Sequence, residues 1–303
     1  MIDAVAGRER ILLLGATGQV GMALKRTLPA LGTLEACDRS KIDLGSASMI
    51  RSAVREFKPT LIINAAAYTT VDRAESEAEL AMAINGVAPG VLAEEAKNLG
   101  ALLVHYSTDY VFDGTKPEAY LEDDPARPLS VYGQTKLAGE RAIRNARGSY
   151  LIFRTSWVYG NEGTNFMKTM LRLAKERDHL RVVADQIGAP TTSQAIATAT
   201  AECLARFRAR PDQETLTGVY HMTCAGQTSW HGFALAIFDE FSAHGDFKRP
   251  KVEAISTQEY PTAAKRPLNS ILCNAKLLAG FGVRLPQWRP ALQHTLQQIR
   301  TCE

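Results

Sequence analysis

The run Ile11-Leu12-Leu13-Leu14-Gly15-Ala16-Thr17-Gly18-Gln19-Val20-Gly21 limits the possible folds more than any other stretch of this chain. Four consecutive apolar residues read as a strand buried on both faces of a parallel sheet. A glycine turn then opens into helical periodicity over residues 20–31, so the run is the first half of a βαβ unit. The glycines have separate tasks in a dinucleotide fingerprint. Gly15 permits the tight turn, Gly18 lets a pyrophosphate approach helix-terminal N–H groups, and Gly21 lets helix and strand close together. Thr17, Gln19 and Val20 belong to the same expected cofactor contact. The spacing is G-x-x-G-x-x-G rather than G-x-G-x-x-G, and such a triad also makes ordinary tight turns. Its place in the first βα unit is what favours the cofactor.

The same alternation continues downstream. Strands are expected at 33–38, 61–64, 101–107 and 150–154, and helices at 46–57, 77–99 and 132–145, the second weakened at Asn85-Gly86 and by Pro89. This order predicts an α/β fold of Rossmann type, a doubly wound parallel sheet with right-handed crossovers. Beyond residue 155 the pattern loosens. Helices are expected at 165–176, 193–208, 229–243 and 291–299, with short strands at 181–183 and 219–222. Prolines at 211, 250, 261, 267, 286 and 290 divide this half. The reading is an NAD(P)-binding Rossmann domain over 10–160 and a smaller, mainly substrate-binding α/β lobe over 161–303, whose later segments are free to return to the first. The first nine residues read as a loose leader.

Composition narrows the function. Apolar residues make up 46% and charged residues 22%, close to globular averages, which excludes disordered, collagen-like and disulfide-scaffold classes. The net charge of +3 is spread along the chain, with neither a nucleic-acid footprint nor a membrane-binding face. Five scattered cysteines without a C-x-x-C pair suggest reduced thiols in a cytoplasmic protein. His221 and Cys224 lack a second ligand pair, so no metal site is expected. The apolar run at 11–14 is too short for a signal peptide or a membrane span. His105-Tyr106-Ser107 is no hydrolase triad, because no G-x-S-x-G elbow accompanies it.

Polar residues at strand ends supply the candidate chemistry. Asp38 lies about where an acidic residue accepts from the adenine ribose, and Arg39 beside it could meet a 2′-phosphate. NADH and NADPH therefore both stay open, as does a plain turn-capping role for Asp38. Asp43 and Leu44 are expected to flank the adenine. Ala65, Ala66, Ala67 and Tyr68 would let the backbone pass close to the cofactor, or simply pack tightly. Tyr132 and Lys136 lie on one helical face, downstream of Ser107-Thr108-Asp109 at a strand end. Ligands bind at such ends in open parallel sheets, so Thr108, Tyr132 and Lys136 are expected to converge.

With G-x-x-G-x-x-G, a Ser/Thr and Y-x-x-x-K in order, the chain resembles the extended short-chain dehydrogenase/reductase family. Within it, the chain is similar to the dTDP-4-dehydrorhamnose reductases. The matching stretches include NAAAYTTVDRAESE (64–77), HYSTDYVFDG (105–114), VYGQTKLAGE (131–140), IFRTSWVYG (152–160), NFMKTMLRLAKER (165–177), DQIGAPT (185–191) and RPLNS (266–270). The resemblance implies reduction of the C4 ketone of a dTDP-sugar with hydride from NADPH or NADH, both being usable. Tyr132 would be the general acid, Lys136 would lower its pKa and hold the nicotinamide ribose, and Thr108 would align the substrate oxygen. Asp109 and Trp157 would contact the sugar, or else fix the loop and fill the core. Asn165, with Phe166, and Arg266 would line the nucleotide-diphosphate pocket, unless Arg266 bridges surface carboxylates. In some members of the family a metal-bridged dimer uses acidic residues near the C-terminus. Here Leu285 to Arg300 carries Gln287 and no acid, which departs from a Mg2+ site and leaves a monomer or weak homodimer. The competing readings are an epimerase or dehydratase of the same superfamily, and a non-catalytic subunit like the regulatory partner of methionine adenosyltransferase.

Overall fold

The computed structural model describes residues 9–242 and 247–300. The expected leader lies outside the described residues except for Glu9, which begins the first strand. In chain order the elements are β1 (Glu9–Leu14), α1 (Gln19–Thr27), β2 (Gly32–Cys37), α2 (Ala47–Phe57), β3 (Leu61–Asn64), α3 (Val71–Ala74), α4 (Ala78–Met82), α5 (Ala88–Leu99), β4 (Leu102–Thr108), α6 (Val131–Ala146) and β5 (Tyr150–Thr155). There follow β6 (Val158–Tyr159), α7 (Phe166–Glu176), β7 (His179–Val183), β8 (Ile187–Gly188), β9 (Thr191–Thr192), α8 (Ser193–Ala209), β10 (Gly218–His221), β11 (Thr228–Ser229), α9 (Trp230–Ser242), β12 (Lys251–Ile255), α10 (Ala275–Phe281) and α11 (Trp288–Arg300).

Six strands form one parallel sheet in the order β10-β5-β4-β3-β1-β2. The continuous apolar runs become strands buried along their length: β3 and β4 are buried at every residue. One face packs against α1, α8 and α10 through Leu24, Ile196, Leu204, Phe207, Leu277 and Phe281. The other packs against α2, α5 and α6 through Ile50, Val54, Leu92, Ala96 and Ile143. Covering both faces is what an all-parallel sheet requires. From β1 the chain steps to β2 at one edge, then returns past β1 to β3. That reversal opens a crevice at the carboxyl ends of β1 and β3, the usual ligand position in an open α/β sheet.

A third apolar cluster lies outside the sheet. Tyr159, Met167, Leu171, Leu180, Phe233, Phe238 and Leu292 gather α7, α9, α11 and β7. Each large side chain buried there is worth roughly 1.5–3 kcal/mol. The parallel pair β7–β12 borders this cluster.

Several boundaries differ from the sequence expectations. The expected helix at 20–31 ends at Thr27 and tightens into a 3-10 turn over Leu28–Ala30, where Pro29 cannot continue α-helical hydrogen bonding. Asp38 falls just beyond β2. The helix expected over 77–99 is interrupted by a π-helical turn at Ala83–Val87, and Pro89 stands in the first turn of α5. The wider turn buries Asn85, whose carboxamide accepts from Tyr68 N (2.9 Å) and donates to Tyr68 O (3.0 Å) and Thr135 Oγ1 (3.2 Å). A tertiary tie, rather than helical weakness, occupies that position. The strand expected at 219–222 begins one residue earlier and joins the main sheet beside β5. Strand β12 and helix α10 were not anticipated. Most of β12 is exposed or half-buried, so it lacks the apolar run that marks the central strands.

Candidate active site

The crevice has a volume of about 730 Å3, and its walls include Gly15, Thr17, Gly18, Gln19, Val20, Asp38, Arg39, Asp43, Leu44, Ala66, Ala67, Tyr68, Tyr132 and Lys136. Its glycine end is built from missing side chains. Gly15 has φ +77°, and a Cβ there would lie 2.5 Å from Ala66 N; one on Gly21 would lie 2.0 Å from Gly15 O. Both are closed to any side chain. A Cβ on Gly18 would meet only Gly15 O, at 3.4 Å, and would otherwise point into open space. Gly18 caps α1 without a side-chain hydrogen bond, and the first turn carries no acidic residue. The leading N–H groups of α1 are thus left for an anion, and the cradle fits a pyrophosphate.

At the adenosine end, Asp38 Oδ1 accepts from Ser40 N (2.9 Å), Ser40 Oγ (2.6 Å) and Lys41 N (3.3 Å). Asp38 therefore caps its turn while also lining the crevice, and those hydrogen bonds hold its carboxyl below the usual value. The Arg39 side chain is 75% exposed, its Nε 3.9 Å from Asp43 Oδ1, so it is free to swing toward a phosphate. Asp43 Oδ1 accepts from Gly45 N (2.9 Å), and Leu44 is buried beneath.

The other end is built from side chains: Thr108, Asp109 and Lys136 are buried and Tyr132 is half-buried. Thr108 closes β4. Its hydroxyl accepts from Tyr110 N (3.1 Å) and donates to Asp109 Oδ1 (3.0 Å). Ser130 caps α6 by accepting from Gly133 N, which fixes the helix start that carries Tyr132. Burial pushes the Tyr132 phenol up to about 12, a hydrogen bond with Thr108 pulls it back, and Asp109 adds to the rise. Burial brings Lys136 down to about 8, with Glu140 opposing. Its Nζ donates to Tyr106 O at 2.6 Å. Burial also raises Asp109 to about 6, against hydrogen bonds from Ser270 and Thr108. A phenol that keeps its proton beside an amine poised near neutrality suits proton delivery.

Thr108, Asp109 and Tyr132 are brought together, and Tyr132 and Lys136 line the same crevice. Tyr110 meets Tyr132 edge-on at 5.6 Å between ring centroids, and Arg266 reaches this corner by hydrogen bonding Tyr110. Arg266 also forks onto Asp72 at 2.7 and 3.2 Å, so its charge is already paired. Trp157 adopts φ 48° and stacks on Trp230 at 3.6 Å. Asn165 stands apart from the Tyr132 group. It caps α7, and its amide donates to Gln19 Oε1 (3.0 Å) and Gly160 O (2.8 Å), tying the glycine loop to the second half.

Sequence reasoning missed the buried groups behind the site. Glu140 holds Arg154 through two bonds of 2.9 and 2.7 Å and accepts from Ser107. Its spacing after Tyr132 and Lys136, every fourth residue along α6, was the available signal. Asn64 and His105 lie buried beside Lys136. Among the described residues, no group of three or more His, Cys, Asp or Glu could hold a metal ion, and no helix is long and apolar enough to cross a membrane.

Known proteins resemble this chain over nearly all its length. The family model described as the RmlD substrate binding domain matches residues 9–301. A dTDP-4-dehydrorhamnose reductase of Burkholderia thailandensis is 49% identical over 287 residues, covering 93% of this chain and 96% of the relative. The enzyme of the same name from Escherichia coli K12 is 44% identical over 296 residues, covering 96% and 98%. The crystal structure of dTDP-4-dehydrorhamnose reductase from Bacillus anthracis in complex with NADP superposes with a TM-score of 0.88 at 38% identity, covering 96% of this chain and 99% of that one.

Proposed function

Since the chain belongs to the family described as the RmlD substrate binding domain, we propose that it reduces the C4 ketone of dTDP-4-dehydro-L-rhamnose to dTDP-L-rhamnose at the expense of NAD(P)H. This is a step of nucleotide-sugar metabolism that feeds cell-surface polysaccharide. The observation that carries the reading is one crevice whose glycine end presents a helix N-terminus without a side-chain cap and whose other end is lined by Lys136 and by Tyr132, which is hydrogen bonded to Thr108.

A reduced nicotinamide, when bound, supplies the hydride. The chain's own residues do the rest. Gly15, Thr17, Gly18, Gln19, Val20 and Gly21 hold the pyrophosphate. Asp38, Arg39, Asp43 and Leu44 meet the adenosine, and Ala66, Ala67 and Tyr68 bring the backbone close along the floor. Thr108 orients the sugar ketone by donating its hydroxyl hydrogen to the ketone oxygen, in place of its present bond to Asp109. Tyr132 donates its phenolic proton to that oxygen as the carbinol forms. Lys136 steadies the resulting phenolate and holds the nicotinamide ribose. Asp109, Trp157, Asn165 and Arg266 are assigned to the nucleotide-sugar side. NADPH and NADH both serve, the enzyme works in the cytoplasm as a monomer or weak homodimer, and residues 10–160 and 161–303 divide cofactor from substrate binding, with α8, β10 and α10 returning to the first sheet.

The test is sugar-dependent oxidation of NADPH by the purified chain, with the product identified by NMR. Net oxidation with formation of dTDP-L-rhamnose is expected. Interconversion of sugars without net oxidation would replace the reading with an epimerase, and no turnover at all would replace it with a non-catalytic subunit.

A further inference from the structure

Two side chains with no task in the proposed reaction form a buried hydrogen-bonded line that ends on Lys136. Asn64 Nδ2 lies 3.2 Å from His105 Nδ1, and His105 Nε2 lies 3.3 Å from Lys136 Nζ. All three residues are at most 1% exposed. The line begins at the Ala66 backbone N–H, which donates to Asn64 Oδ1 at 3.2 Å. A backbone N–H can only donate, so the carboxamide oxygen must face it and the NH2 must face His105. His105 Nδ1 is then an acceptor. Burial holds the His105 pKa well below the usual imidazole value, so the ring is neutral and carries one proton. With Nδ1 accepting, that proton sits on Nε2 and points at Lys136 Nζ. A neutral amine has a lone pair to accept it; an ammonium has none. The opposite tautomer would leave two buried donors, His105 Nδ1–H and the Asn64 NH2, facing each other.

We infer that Asn64 and His105 are positioning residues that favour the neutral form of resting Lys136, by presenting His105 Nε2–H to the lone pair that only the neutral amine has. The amine's remaining hydrogens serve Tyr106 O and the crevice. Other groups around Lys136 pull both ways. Glu140, one turn along α6, favours the ammonium, but it is already engaged by Arg154 of β5. Tyr132 lies one turn back, Asp109 sits at the end of β4, and the π turn packed on α6 brings only the neutral Asn85 amide to Thr135.

The consequence rests on the proposed role of Tyr132. Beside an amine biased toward its neutral form the phenol keeps its proton until the ketone takes it. That transfer breaks the Tyr132 O–H bond and forms the sugar O–H bond. The phenolate left behind then favours an ammonium at Lys136, the proton coming from water. His105 thus opposes the charge before the transfer and loses its acceptor after it.

The test reads the resting full chain by two-bond 1H–15N correlation of labelled histidine, with Lys136 followed by its 13Cε shift during a pH titration. The Nε2–H tautomer of His105 is expected. Asn64→Asp replaces the donor with a carboxylate that accepts from both Ala66 N and His105 Nδ1–H. It should switch His105 to the Nδ1–H tautomer and raise the Lys136 midpoint by at least one pH unit. An Nδ1–H ring in the unaltered protein would overturn the inference without needing any variant, as would an unchanged tautomer and midpoint in folded Asn64→Asp. Neither reading requires sugar turnover, so failure of the reduction assay and failure of this inference are separate results.

Discussion

The two ends of the crevice are made by opposite means. At Gly15, Gly18 and Gly21 the working groups are backbone N–H donors, and the necessary feature is the absence of side chains: a Cβ on two of these glycines would collide with the backbone, and one on the third would stand in the crevice. At Thr108, Tyr132 and Lys136 the working groups are side chains, and the necessary feature is burial, which brings the amine to about 8 and the phenol to about 12. The first end binds through geometry fixed by local sequence, whereas the second acts through protonation states that several distant elements set together. Substitutions at the two ends should therefore separate affinity from turnover.

The largest effect belongs to Tyr132→Phe. It removes the proton donor and keeps the ring against Tyr110, so kcat should fall on the order of 10²-fold or more, within the range of general acid catalysis. NADPH affinity, measured by fluorescence titration, should stay nearly unchanged; a variant with near-normal turnover would remove Tyr132 from its role. Lys136→Met comes next and should cross the division, lowering kcat and weakening NADPH together, because one amine serves both the phenol and the ribose. A loss confined to either measurement would mean that the role is not shared.

Gly18→Val acts at the other end. Its Cβ has room in the folded chain, and the branched side chain occupies the pyrophosphate's approach. NADPH affinity should drop by about tenfold or more, roughly 1.4 kcal/mol, with the thermal midpoint without cofactor little changed. Normal NADPH titration would sink the fingerprint reading. The smallest effect is expected at Arg39, which is exposed and only loosely paired with Asp43. The unaltered chain should prefer one cofactor over the other by less than about tenfold in kcat/KM. Arg39→Ala should raise KM for NADPH a few-fold and leave NADH alone. Equal effects on both cofactors, or none on either, would show that Arg39 does not read the 2′ position.

The same division explains what could be read from sequence. The glycine loop, the buried strands and the Tyr132–Lys136 pair are local patterns, each contained within one or two turns of chain. The groups that tune Lys136 are not. His105 was read only to dismiss a hydrolase triad, because its partners come from β3 and α6 and no periodicity joins them. Asn85 looked like a helix breaker, since its hydrogen bonds to Tyr68 and Thr135 exist only in the folded state. Asn165 reads from sequence as a pocket residue beside Phe166, but its tie to Gln19 needs the two halves assembled. Strand β12 was invisible because its neighbour β7 is remote in sequence and neither strand is apolar throughout.

All of these elements serve one claim, that the crevice delivers a hydride to C4 of the nucleotide sugar while Tyr132 protonates its oxygen. Turnover of dTDP-4-dehydro-L-rhamnose with NADPH carrying deuterium at both nicotinamide C4 positions tests it most directly. The account predicts one deuterium at C4 of dTDP-L-rhamnose for each labelled cofactor oxidised. A product without label at C4, or a labelled cofactor left unoxidised while the sugar changes, would contradict it.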